Sequence, residues 1–274
     1  QANPLRIEEN YQEIRDHRVT CKFKQSEETE YLTKEMNVLI DTVNEDENYL
    51  DMKSFRKCKV DKIDFSGREV VVSVDLSKSI DLTAVGIMYR DMNYYYYKVH
   101  GFLPRVGLER RKEKIDYYYM ERKGYCTIQE GRNIKYKKIA DYIKTIEPTY
   151  NCKIKCIAID PTYADVLVEE LEEFYDIVVL RQTYTVLSPP TLSMRDAIYE
   201  GRFFYEENEL FEWNMSNATV SEGKAGDIML NKTRKSNNTR IDMAVVAPFA
   251  YSQLYLEECD YDAVDALLSQ DWGD

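Results

Sequence analysis

Three aspartates stand where this chain could do hydrolytic chemistry. Asp75 ends the apolar run Val70–Val74, Asp160 ends the run Ile154–Ile159, and Asp242 opens the apolar stretch Met243–Val246. The first two runs are rich in β-branched residues and read as strands, so each delivers a carboxylate at a strand end, a rigid place for a ligand. The C-terminal edge of parallel strands is where ligands collect. Asp242 falls in the first turn of a predicted helix. Each residue has a plainer role as well. Asp75 can start the turn before Ser77, Asp160 can cap the next helix, and Asp242 can complement a helix dipole. Taken together, they form a set able to hold two divalent ions about 3.5–4 Å apart, the arrangement for phosphodiester hydrolysis. Carboxylate and water ligands favour Mg²⁺ or Mn²⁺ over Zn²⁺.

Other chemistries find little support. The two histidines, His17 and His100, are far apart. Ser188 is followed by two prolines and has no base nearby in sequence. The six cysteines fit no zinc spacing and read as free thiols of a reducing compartment. A phosphate-cradling Gly-x-x-x-x-Gly-Lys-Ser/Thr loop is absent, so this segment is not expected to hydrolyse ATP. Neither a signal peptide nor a membrane-length apolar run is found.

The formal net charge of −12 argues mildly against general nucleic-acid affinity, so any such affinity has to be local. Basic residues do cluster. One group is Arg105, Arg110, Arg111, Lys112 and Lys114; the other is Lys224, Lys232, Arg234, Lys235 and Arg240, beside Asp242. Solvated loops are the plain reading of both. The functional reading is contact with a phosphate backbone, which positions DNA without reading sequence. The second group is taken as the candidate DNA-binding set.

The elements that would position these residues follow from pattern. Residues 1–66 are polar and read as a linker or the remnant of a preceding domain. Residues 67–256 carry the core, and 257–274 form an acidic tail without Lys or Arg. Within the core, strands are predicted at Val70–Val74, Leu82–Tyr89 and Tyr94–Lys98. A helix at Lys135–Ile146, a strand at Ile154–Ile159, a helix at Tyr163–Phe174 and a strand at Ile177–Arg181 follow. This alternation predicts a parallel pair joined by a crossover helix. Ser188-Pro189-Pro190 reads as a break before a helix at Leu192–Tyr199. A short strand at Phe203–Tyr205 follows, then a segment at Phe211–Ala218 that could be helix or strand. Ala218–Val220 and Asp227–Leu230 read as a hairpin. The last helix is placed at Ile241–Leu256, with Thr239 as its cap and Pro248 as a kink. The tyrosine run Tyr94–Tyr97 fits strand packing, and Tyr117–Tyr119 is left open.

An ordered series of motifs resembles the large subunit of tailed-phage terminases. It starts with Ala2-Asn3-Pro4-Leu5, followed by Val74-Asp75-Leu76-Ser77 with Asp81-Leu82-Thr83-Ala84. Gly124-Tyr125, Ile159-Asp160-Pro161, Leu187-Ser188-Pro189-Pro190, Glu200-Gly201-Arg202 and Arg240-Ile241-Asp242 follow in the family's order. After Pro161 the chain departs from the family pattern with Thr162-Tyr163-Ala164-Asp165. The resemblance implies an α/β chain of RNase H-like fold, a mixed central sheet flanked by helices. It implies an endonuclease cutting concatemeric double-stranded viral DNA during packaging, with Asp75, Asp160 and Asp242 as metal ligands. It also implies an upstream ATPase domain, portal and small-subunit partners, and work in the host cytoplasm. Two other readings fit the residues: a docking module whose carboxylates are structural, and an RNase H-like transposase or resolvase.

Overall fold

Val70, Val72 and Val74 share one face of a strand, while Val71, Ser73 and Asp75 share the other, and every residue from Val70 to Val74 is buried. A strand apolar on both faces belongs at the centre of a sheet covered on both sides. The computed structural model places it there. It describes residues 48–77, 82–108, 111, 113, 115–223, 226–232 and 239–268.

The strands, in chain order, are β1 (Lys59–Val60), β2 (Glu69–Asp75), β3 (Thr83–Asp91), β4 (Tyr94–Pro104), β5 (Cys126–Gln129), β6 (Lys153–Ile159), β7 (Ile177–Val179), β8 (Phe203–Glu206), β9 (Ala218–Glu222) and β10 (Ile228–Lys232). The helices are α1 (Met52–Lys57), α2 (Tyr117–Arg122), α3 (Tyr136–Tyr150), α4 (Asp165–Leu171), α5 (Tyr184–Tyr199), α6 (Glu209–Ser216) and α7 (Asp242–Leu268). The main sheet runs β1-β8-β4-β3-β2-β6-β7, with β5 beside the end of β4. Only β3 runs against the other strands of this sheet. β9 and β10 form a separate antiparallel pair.

The sheet's two faces pack separate cores. Val70, Val72, Val74, Ile157 and Ile159 meet Ile139 and Ile143 of α3 and Leu167 and Leu171 of α4. Val71, Ala84, Met88, Cys156 and Ala158 meet α5 and α7 through residues such as Met194, Met243, Ala247 and Phe249. The fold is therefore an RNase H-like mixed sheet flanked by helices.

Several expectations change. The boundary after residue 66 cuts through packed structure: Tyr49, Leu50, Phe55, Ile63 and Phe65 are buried, and β1 pairs β8. Polar composition hid these few anchors. α7 continues as helix to Leu268, past the boundary drawn at 257. It begins at Asp242, beyond the predicted cap Thr239, and runs through Pro248. Ser188-Pro189-Pro190 is no break; both prolines lie inside α5. The missing N–H groups are tolerated because Leu187, Pro190, Met194 and Ile198 are buried, and tertiary packing overrides propensity. Ser188 is tied down as well, its Oγ accepting the Ile228 N–H at 2.8 Å. The ambiguous segment near Phe211 is helix α6. Tyr94–Tyr97 packs as a strand, with Tyr95 and Tyr97 buried. Cys58, Cys126, Cys152 and Cys156 are free thiols, as expected. Among the described residues, no helix is long and apolar enough to cross a membrane.

Candidate active site

β2 and β6 are neighbours and parallel, with Val74 opposite Ile159. Asp75 and Asp160 follow those two residues, so they sit side by side at one edge of the sheet. The Asp160 N–H donates to the Val74 carbonyl at 3.4 Å, fastening the two strand ends together. Their faces follow from alternation. Asp75 continues the set Val71 and Ser73, and Asp160 continues Cys156 and Ala158. Val71, Cys156 and Ala158 all belong to the core under α7. Both aspartates therefore belong to the α7 face.

α7 brings the third. Midway along it, the Leu254 carbonyl accepts from Arg90 Nη1 at 3.3 Å. Leu254 also lines a cleft with Gly67, Arg68 and Glu69, at the start of β2. From Leu254 back to Asp242 the helix rises about 18 Å, and β2 rises about 20 Å from Glu69 to Asp75. α7 thus runs against β2 with Asp242 level with Asp75.

Two of the carboxylates, those of Asp160 and Asp242, are buried. Asp160 is 5% exposed, and its Oδ1 accepts the Thr162 N–H at 2.7 Å. The capping role anticipated for Asp160 is not realised, since the N-cap of α4 is Ala164 without a side-chain bond; the bond from Thr162 instead orients the carboxylate in the turn before the helix. Asp242 is 6% exposed, with Oδ1 4.0 Å from Lys232 Nζ on β10. Asn214 of α6 accepts the Met243 N–H at 3.2 Å, and Asn217 Nδ2 donates to the Arg240 carbonyl at 3.2 Å. These two asparagines fix the start of α7. Beside Asp75, the Ser77 N–H donates to Thr83 Oγ1 at 2.9 Å, and Tyr136 Oη donates to the Ser77 carbonyl at 3.2 Å. Asp165, a further acid, is the first residue of α4.

Arg240 is a correction to the proposed DNA-binding set. It is 8% exposed, and its Nε lies 3.3 Å from Glu113 Oε1. The same oxygen accepts from Arg111 Nη1 at 3.2 Å and from Tyr117 Oη at 3.2 Å. Its Nε is thus engaged by a buried carboxylate and most of the side chain is withdrawn from solvent. Burial alone would raise the Glu113 carboxyl, but its own backbone N–H, Arg240 and Arg111 together hold it below its ordinary range. Arg111, from the other basic group, is part of this network rather than a solvated loop. Lys232 remains accessible, its side chain 39% exposed. Lys224, Arg234, Lys235, Arg110, Lys112 and Lys114 lie outside the described residues. Asn214, Asn217 and the pairing of Glu113 with Arg240 carried no sequence signal, because these partners lie 29, 23 and 127 residues apart.

The donor set suits a hard divalent cation: three carboxylates on one edge and one face, with no thiol or imidazole among them. Among the described residues, no three acidic, histidine or cysteine side chains close on one point at ligand distance. The structure thus brings the aspartates to one edge without gathering them at a single centre.

Residues 2–255 match the family model described as "Terminase large subunit, endonuclease domain". Protein YmfN of Escherichia coli (strain K12) is 24% identical over 228 residues, covering 77% of this chain and 49% of that protein. The chain therefore spans about half the length of this curated relative. Among solved structures, the HK97 bacteriophage large terminase superposes with a TM-score of 0.67 at 20% identity, over 75% of this chain and 43% of that one. The large terminase nuclease of thermophilic phage G20c gives 0.51 at 10% identity, over 76% and 99%. A G20c nuclease structure with bound magnesium gives 0.50 at 9% identity, over 76% and 98%. At these identities the structural likeness shows the fold, and the family match spans nearly the whole chain. The chain belongs to the terminase large subunit endonuclease domain family.

Proposed function

We propose that this chain is a metal-dependent endonuclease that cuts concatemeric double-stranded viral DNA during genome packaging. The observation that carries this reading is the pairing of β2 with β6 in parallel, which sets Asp75 and Asp160 on one edge and face, level with Asp242 of α7. In this reading the three carboxylates are the metal ligands. Two bound Mg²⁺ or Mn²⁺ ions would activate a water and stabilise the leaving oxygen in phosphodiester hydrolysis. The G20c relative solved with magnesium supports the choice of cation.

The chain's own groups have distinct tasks. Asp160 is aimed by its bond to Thr162. Asp242 is held by the Asn214 and Asn217 contacts at the start of α7. Lys232, 4.0 Å from Asp242, offers an ammonium to a backbone phosphate beside the reacting one. Lys224, Arg234 and Lys235 belong to the same proposed contact. The wider reading includes an upstream ATPase domain of the same protein, portal and small-subunit partners, and action in the host cytoplasm.

The test is a plasmid assay. Purified chain with supercoiled plasmid and Mn²⁺ should yield nicked and linear DNA, and Asp75→Ala and Asp242→Ala should leave the plasmid closed. Equal cutting by wild type and variants, or an intact plasmid throughout, would overturn the reading.

A further inference from the structure

Residues 131–140 read Gly-Arg-Asn-Ile-Lys-Tyr-Lys-Lys-Ile-Ala, with no acid among them, in a chain of net charge −12. They form the loop after β5 and the first turn of α3. The fold accounts for the apolar members: Ile134, Ile139 and Ala140 are buried, and Tyr136 bonds to Ser77. It does not account for the cations. Arg132, Lys135, Lys137 and Lys138 are all exposed. Among the described residues, none of the four makes an ion pair.

Helix chemistry does not ask for them either. Lys135 is the N-cap of α3 without a side-chain cap bond, and the first turn holds no acid. Cations at this end oppose the helix dipole, which favours negative charge there. Four unpaired cations on such a site point to an external anion.

Their position says which one. β4 and β5 run parallel to β2, so the loop leaving β5 emerges at the edge that carries Asp75 and Asp160. α3 starts at that edge, and Tyr136 Oη reaches the Ser77 carbonyl, two residues beyond Asp75. α3 packs on the face opposite α7. Lys232 stands beside Asp242 at the α7 side. The catalytic edge is therefore flanked by exposed cations on both sides, with the aspartates between them.

We propose that Arg132, Lys135, Lys137 and Lys138 form a second backbone-phosphate contact, which holds duplex DNA across the sheet edge so that one strand lies over the aspartates. The proposal rests on the nuclease reading above and adds where the duplex lies. A contact built from lysines and arginine alone is sequence-tolerant and weakens with salt, because each neutralised phosphate releases counterions.

The test is fluorescence anisotropy of a labelled 30-base-pair duplex of arbitrary sequence, titrated with the full chain in Ca²⁺ between 50 and 200 mM salt. The variant carries Arg132→Gln, Lys135→Gln, Lys137→Gln and Lys138→Gln. All four sites are exposed, so thermal unfolding should match wild type. The variant should bind at least ~10-fold more weakly at 50 mM salt, with a log–log salt slope shallower by about 2–4. Unchanged affinity and slope would overturn the proposal. So would tighter binding of wild type to polyglutamate of equal total charge than to the duplex, lost in the variant, which would mark the patch as a site for acidic protein. Asp75→Ala separates the two claims. A chain that binds the duplex through the patch yet never cuts plasmid refutes the nuclease reading alone. A chain that cuts, but whose patch variant binds as wild type does, refutes the patch alone.

Discussion

Replacing Glu113 with glutamine should destabilise the fold and loosen the approach to Asp242. One oxygen of Glu113 serves Arg111, Arg240 and Tyr117, at 3.2, 3.3 and 3.2 Å. The side chains of Glu113, Arg111 and Arg240 are 2%, 7% and 10% exposed, so solvent screens the group little. Breaking a buried ion pair by removing one partner costs about 3–5 kcal/mol. Glutamine keeps the shape and an acceptor oxygen, which lowers the expected loss to about 2–4 kcal/mol. In a chain of this size that is a fall in Tm of roughly 4–16 °C. Circular dichroism at pH 7 reads it directly. A double-mutant cycle with Arg240→Gln should show a coupling of at least ~1 kcal/mol. The Glu113 carboxyl is held below its ordinary range, so its contribution is present above the unfolded value of about 4.3 and is lost as pH falls through the folded value. The deficit of Glu113→Gln should therefore shrink below about pH 4. Arg240 leads directly into Asp242, so the folded variant should also need more Mn²⁺ for half-maximal cutting. A Tm shift within about 1 °C, or strictly additive losses in the cycle, would refute the reasoning.

Three further outcomes follow from single side chains. A methyl group at Gly86 would lie 2.6 Å from both Ser73 Oγ and Tyr97 Oη, and both residues are fully buried, so Gly86→Ala should cost about 1–3 kcal/mol in denaturant unfolding. Burial pushes His100 down to about 4, with Lys98 adding to the shift and a Gly124 backbone bond opposing it. The fold therefore favours the neutral ring, and the stability this gives is present above the unfolded value near 6.5 and is lost as pH falls towards the folded one. His100→Gln should flatten that acid limb, and an unchanged slope between pH 6.5 and 4.5 would contradict it. Asp160→Asn keeps an acceptor for the Thr162 N–H, so metal-free Tm should stay within about 2 °C while Mg²⁺ affinity measured by calorimetry falls at least tenfold. A large metal-free loss of stability would instead make Asp160 a structural residue.

Much of this arrangement is written in local pattern. The valines of β2 and the isoleucines of α3 and β6 announce their elements through period and β-branching, and these elements carry Asp75 and Asp160. Other features are invisible to such a reading. The prolines of α5 are outvoted by the packing around them. Tyr49 and Phe55 sit in a polar stretch whose composition conceals its few anchors. Arg240 looked like a DNA contact because it neighbours Asp242 in sequence, whereas its partner Glu113 lies 127 residues away. The cations of 132–138 are plain in the sequence, but only the parallel pairing of β4 with β5 shows that their loop emerges at the edge that carries Asp75 and Asp160.

The central claim is that Asp75, Asp160 and Asp242 hold divalent metal together. A crystal of this chain soaked in Mn²⁺ and measured at the manganese absorption edge tests it most directly. Anomalous peaks within about 2–2.5 Å of carboxylate oxygens from all three residues are the predicted result. Peaks coordinated elsewhere, or none at saturating Mn²⁺ in an ordered site, would contradict it.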